Sequence, residues 1–128
     1  MSALIIWVDS QEAKLFNLLP TGLKTEKISL STKLHPPEVH GKNHTREERD
    51  EGRFYHLLCT ALEKNPATEW LVAGPGPGRK NFVGHLQKHH PNLMDYVKGE
   101  QTMDSLTDNQ ILAEGRKFFK HHHLFEHN

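Results

Sequence analysis

Three extended segments lie so close together near the start of this chain that no helix fits between them. Ala3-Leu4-Ile5-Ile6-Trp7-Val8 is a continuous apolar run that stops at Asp9-Ser10, the pattern of a strand buried on both faces. A second apolar stretch, Ala13 to Leu19, follows after one short polar turn, and Pro20-Thr21-Gly22 marks another reversal. Thr25 to Leu30 alternates weakly, with Ile28 and Leu30 on one face. Parallel neighbours need a crossover of about a dozen residues or more, so these connections permit only an antiparallel meander.

The remainder reads as alternating helices and strands. Thr45-Arg46-Glu47-Glu48 has the form of a capping box. Phe54, Leu57, Leu58, Ala61 and Leu62 then mark one face of a helix that Asn65-Pro66 ends. Trp70 to Ala73 is a short buried strand, Gly74-Pro75-Gly76-Pro77-Gly78 a loop, and Arg79 to His90 a helix closed by Pro91. Leu93 to Val97, running on to about Glu100, is expected as a fifth strand. Thr107-Asp108-Asn109-Gln110 is a second capping box, opening a helix with Ile111, Leu112, Gly115, Phe118 and Phe119. The order β-β-β-α-β-α-β-α predicts an α/β fold, a three-layer sandwich around a mixed five-stranded sheet. Residues 1–120 form one domain in this reading, and 121–128 a polar, histidine-rich tail.

A chain of 128 residues is enough for one core. Its single cysteine, Cys59, excludes an internal disulfide. No apolar run reaches the roughly 18 residues of a membrane span. The first residues lack the basic region and cleavage site of a signal peptide, so the expected compartment is the cytoplasm. Sixteen Lys plus Arg balance sixteen Asp plus Glu. Any attraction to nucleic acid must then be local, not global. Eleven histidines would make the chain cationic below about pH 6.

Strand, Gly74-Pro75-Gly76, then Lys80 and Phe82, resembles a segment in the central domain of archaeal and eukaryotic class-1 release factors and of Pelota. The chain also resembles short, single-domain bacterial proteins described as translational machinery components. Ile6-Trp7-Val8-Asp9-Ser10-Gln11-Glu12-Ala13 is similar to their opening and Phe54-Tyr55-His56 to the start of their first helix. Gln101-Thr102-Met103-Asp104, Thr107-Asp108-Asn109-Gln110 and Arg116-Lys117-Phe118-Phe119 are similar to their closing segments. The resemblance covers about residues 3 to 120. It implies a ribonuclease-H-like fold and contact with the ribosome, ribosomal RNA, tRNA or a translation factor. In release factors the loop between the third strand and the first helix carries Gly-Gly-Gln. The corresponding stretch here, Ser31 to His44, has Gly41-Lys42-Asn43-His44 and no such tripeptide, which removes the case for peptidyl-tRNA hydrolysis.

Candidate contact residues follow. The Gly74–Gly78 loop precedes a helix, where backbone N–H groups attract phosphate. Gly74, Gly76, Gly78, Arg79 and Lys80 are its possible donors, because Pro75 and Pro77 have no N–H. The simpler reading of the same loop is a tight strand-to-helix turn chosen for backbone shape. His40, Lys42 and His44 of the long polar loop, with Arg46 just after it, are the other candidates: cations would meet phosphates and imidazoles would stack on unpaired bases. His35, His40 and His44 match no standard zinc spacing. Asp9 ends the first strand, where ribonuclease-H-like nucleases keep a metal-binding carboxylate, but a hydrolase needs further carboxylates converging on it. Cys59 reads as a core residue. The expected function is thus a non-enzymatic RNA- or factor-binding module without cofactor or metal. The alternatives are a metal- or phosphate-dependent hydrolase using Asp9 or the loop histidines, and a protein-interaction adaptor.

Overall fold

The computed structural model describes residues 3–9, 11–18, 25–31, 46–65, 67–104 and 106–126, with backbone alone for 25–31, 46–51 and 123–126. Helices and strands alternate after an all-strand start. The elements are β1 (Ala3–Val8), β2 (Glu12–Leu18), β3 (Thr25–Ser31), α1 (Arg46–Glu63), β4 (Glu69–Gly74), α2 (Gly76–His89), β5 (Val97–Thr102) and α3 (Asp108–Glu126). The strands form one mixed sheet in the order β3-β2-β1-β4-β5. β1 pairs antiparallel with β2 and parallel with β4, and β4 pairs parallel with β5.

The apolar run of β1 explains its central place. Leu4, Ile6 and Val8 face one side, where Leu15, Trp70 and Val72 join Phe54, Leu58 and Leu62 of α1 and Phe82 and Leu86 of α2. Ile5 and Trp7 face the other, against Phe16, Leu71, Ala73 and Ile111, Leu112 and Phe119 of α3. Each large side chain removed from water in this way contributes roughly 1.5–3 kcal/mol. Helices therefore cover both faces of the sheet.

The expected α/β architecture with a mixed sheet is present, and three boundaries differ from expectation. First, α2 begins at Gly76, inside the segment read as a loop, with Pro75 as its cap and Pro77 in its first turn. Proline is tolerated there because the first N–H groups of a helix have no partner within it. Second, Leu93 to Tyr96 is not strand. Pro91–Tyr96 is a short 3-10 helix that drops Leu93 into the core, and β5 starts only at Val97. Third, α3 does not stop near Lys120 but continues to Glu126. At its start the capping box forms as expected: Gln110 N–H donates to Thr107 Oγ1 at 3.2 Å, and Thr107 N–H donates to Gln110 Oε1 at 2.9 Å. The first capping box and the long Ser31–His44 loop lie outside the described side chains.

Candidate functional site

β4 ends at Gly74, the one described residue with a left-handed φ, +134°. A Cβ at this position would overlap the Val8 carbonyl, so glycine alone fits. The Gly74 carbonyl accepts from Met103 N–H at 3.0 Å, and the Met103 carbonyl accepts from the Trp7 indole at 3.2 Å. The ends of β1, β4 and β5 are thereby tied where the chain turns into α2.

The first turn of α2 is partly engaged within the fold. Arg79 N–H donates to Pro75 O at 3.0 Å. The Gly78 carbonyl accepts from the Tyr55 hydroxyl at 3.3 Å, which pins α1 against α2. Arg79 does not extend into solvent. Its Nη1 donates to Glu100 Oε1 at 2.6 Å and its Nη2 to Thr102 Oγ1 at 3.2 Å, while Nε is buried without a partner. A short charge-assisted bond of this kind holds the guanidinium in place, so Arg79 braces α2 against β5. Lys80, the next residue, is exposed.

Lys80 borders an open concavity of about 500 Å³ between α1 and α2, lined by Gly52, Tyr55, Asn81, Gly84, His85 and Lys88. Its depth comes from two glycines. A Cβ added at Gly52 of α1 or at Gly84 of α2 meets nothing within 4 Å. Neither glycine is demanded by packing, and both leave room a side chain would take. Lys80, Gly84 and Lys88 follow at intervals of four along α2, so two cations flank a gap on one stripe.

Of the residues nominated from sequence, Gly74, Gly76 and Gly78 gather at the β4–α2 junction, with Lys80 beside them. Arg79 is drawn inward. His40, Lys42 and His44 lie outside the described residues; Arg46 opens α1, and its side chain is likewise outside them. Lys88, Asn81 and the two floor glycines were missed. Their signal was the four-residue spacing from Lys80 to Gly84 to Lys88, which becomes legible only once α2 is known to be a helix. Asp9 plays a structural part. Its Oδ1 accepts from Gln11 N–H at 2.8 Å and Glu12 N–H at 2.7 Å, closing the β1–β2 turn. Among the described residues it belongs to no group of ligands close enough to hold an ion.

No protein-family model matches the chain, and no curated protein does. Solved structures do. Pelota from Archaeoglobus fulgidus superposes with a TM-score of 0.60 at 14% identity, over 98% of this chain and 37% of that one. The Thermoplasma acidophilum Pelota protein gives 0.62 at 17% identity, over 89% of this chain and 31% of that one. The fold is Pelota-like. An archaeal protein gives 0.52 at 21% identity, over 91% of this chain and 32% of that one. The chain spans about a third of the length of each.

Proposed function

We propose that this chain is a non-enzymatic module that binds RNA of the translation apparatus, ribosomal RNA or tRNA, through the α1–α2 concavity and the β4–α2 junction. The observation that carries the reading is the pair of exposed lysines, Lys80 and Lys88, flanking a glycine-floored gap with the polar Asn81 between them. With balanced charge overall, such a gap is a local site where a phosphate backbone can approach the helix surface. Gly76 and Gly78 at the start of α2 add backbone N–H groups and the positive end of the helix dipole. Lys42, Arg46, His40 and His44 remain candidate RNA contacts in this proposal on the strength of the sequence, and Arg79 holds α2 in place. The Pelota-like fold and the resemblance to release-factor central domains support a place in translation. The missing Gly-Gly-Gln supports binding without peptide release.

The test is a salt titration. Affinity for a ribosomal RNA fragment is measured at several salt concentrations for the native chain and for Lys80→Ala/Lys88→Ala. Each lost phosphate contact reduces the slope of log affinity against log salt by about 0.7–0.9. The double variant is expected to lose close to two such increments. An unchanged slope overturns the reading.

A further inference from the structure

Behind the concavity, α1 and the end of α2 bring together an unusual set of side chains. Cys59 and His56 come from α1, His85 and His89 from α2, and His90 from the residue that caps α2. The ring of His85 is 4.7 Å from that of His89 and 5.7 Å from that of His90, and the His90 ring is 6.1 Å from that of His56. Cys59 Sγ and one ring nitrogen each of His85 and His90 lie within 4.8 Å of one another. Glu63, one turn beyond Cys59 on α1, places Oε1 3.4 Å from Nδ1 of His90.

We propose that Cys59, His85 and His90 form a binding site for a zinc-class transition-metal ion, completed by Glu63. Four features argue for it. The donor set, one thiol and two imidazoles with a carboxylate beside them, is the chemistry that zinc takes. The Nε2 of His85 is buried and has no hydrogen-bond partner, so a lone pair or an N–H there is otherwise wasted. Ligands about 2.0–2.3 Å from a tetrahedral ion stand roughly 3.3–3.8 Å apart, so the present spread closes by roughly 1 Å, within reach of small side-chain rotations. Finally, Glu63 is already in contact with His90, as the fourth ligand or as the carboxylate that orients the ring. Without an ion the arrangement is uncomfortable. Burial, then the neighbouring His89, His90 and His56, pushes the His85 pKa down to about 4, and burial, then Glu63, pushes the Cys59 thiol up to about 12. Metal binding there would have to displace the thiol proton, so affinity would rise with pH.

The experiment uses the full chain stripped with a chelator and titrated with cobalt(II) as a spectroscopic probe, then with zinc in competition against a chromophoric chelator. His121→Ala/His122→Ala/His123→Ala is run alongside, so that binding by the histidines of α3 is separated from binding here. The expected result is one tight equivalent with a sulfur-to-cobalt charge-transfer band, retained in that triple variant. Cys59→Ser abolishes the band. Glu63→Gln weakens zinc binding by about 10- to 100-fold, and His85→Gln weakens it more. His90→Gln, at a partly exposed cap position, provides a ligand change that spares the core if Cys59→Ser does not fold. Absence of the charge-transfer band, or zinc affinity unchanged in both His85→Gln and His90→Gln, overturns the proposal. RNA binding through Lys80 and Lys88 is measured separately, so either result stands without the other.

Discussion

Gly74 lies against the carbonyl of Val8 with no room for a side chain between them. The neighbour is backbone on a central strand and cannot step aside, and the φ of +134° is itself strained for any L side chain. Gly74→Ala is expected to destabilise the fold by about 3 kcal/mol or more, combining backbone strain with forced displacement of β1. Chemical denaturation of the two proteins measures it. A loss below about 1 kcal/mol would show that the β4–α2 junction relaxes freely.

Gly52 and Gly84 should behave in the opposite sense. Both are helical, and both have open space where a Cβ would go. Alanine in a helix is favoured over glycine by roughly 0.5–1 kcal/mol. Gly52→Ala and Gly84→Ala are therefore expected to raise the melting temperature. A bulkier Gly84→Gln, which fills the concavity, is expected to weaken RNA binding without lowering stability. Gly84→Gln with native RNA affinity would separate the concavity from binding.

The Arg79–Glu100 pair makes a third case. The Arg79 side chain is mostly enclosed, and that of Glu100 is 39% exposed, so solvent screens the pair in part. Removing the carboxylate leaves an enclosed guanidinium with Thr102 as its remaining partner. Glu100→Ala is expected to cost about 1–2 kcal/mol, less than a fully buried break, and Arg79→Met/Glu100→Leu should recover much of that loss. If Arg79 is a brace and not an RNA contact, Arg79→Met lowers stability and leaves the salt slope of RNA binding unchanged. A slope that falls with Arg79→Met assigns the side chain to the ligand instead.

Acid should weaken the metal-free protein through His85. Its pKa is near 4 in the fold against an ordinary 6.5, so the unfolded chain binds more protons between those values. Stability contributed by the neutral ring is complete above pH 6.5 and is lost as pH falls toward 4. Burial acts first, and the groups around the ring add to it: His89 and His90 from the end of α2 and His56 from α1, with Tyr55 and Cys59 of α1 also beside it. Denaturation midpoints of chelator-treated protein from pH 7 to 4 are expected to decline, and less steeply in His85→Gln. Parallel profiles for the two proteins would remove His85 as the cause.

What could be seen in the chain before folding depended on how local each signal was. The Ala3–Val8 run announces a central strand because burial on both faces forbids polar residues. The Thr107–Gln110 box announces a helix start because its two bonds close within four residues. The expected position of β5 was too early because Val97-Lys98-Gly99-Glu100-Gln101-Thr102 carries no apolar alternation, whereas Leu93-Met94, in the 3-10 turn, does look apolar. A strand at the sheet edge is placed by pairing with β4, not by its own side chains. The Cys59–His85–His90 cluster was invisible for a related reason. Its members come from two helices and a cap, and the spacing that matters is across the α1–α2 contact. The glycine floor of the concavity likewise depends on which faces of α1 and α2 meet.

β1 carries one more consequence. Its amides pair with β2 on one side and β4 on the other, and helices cover both faces of the strand. No fraying of a terminus and no partial opening of one helix frees both ladders at once. Hydrogen–deuterium exchange at Ile5 and Ile6 is then expected to require global unfolding, so the exchange rate of these two amides reports the stability of the entire domain.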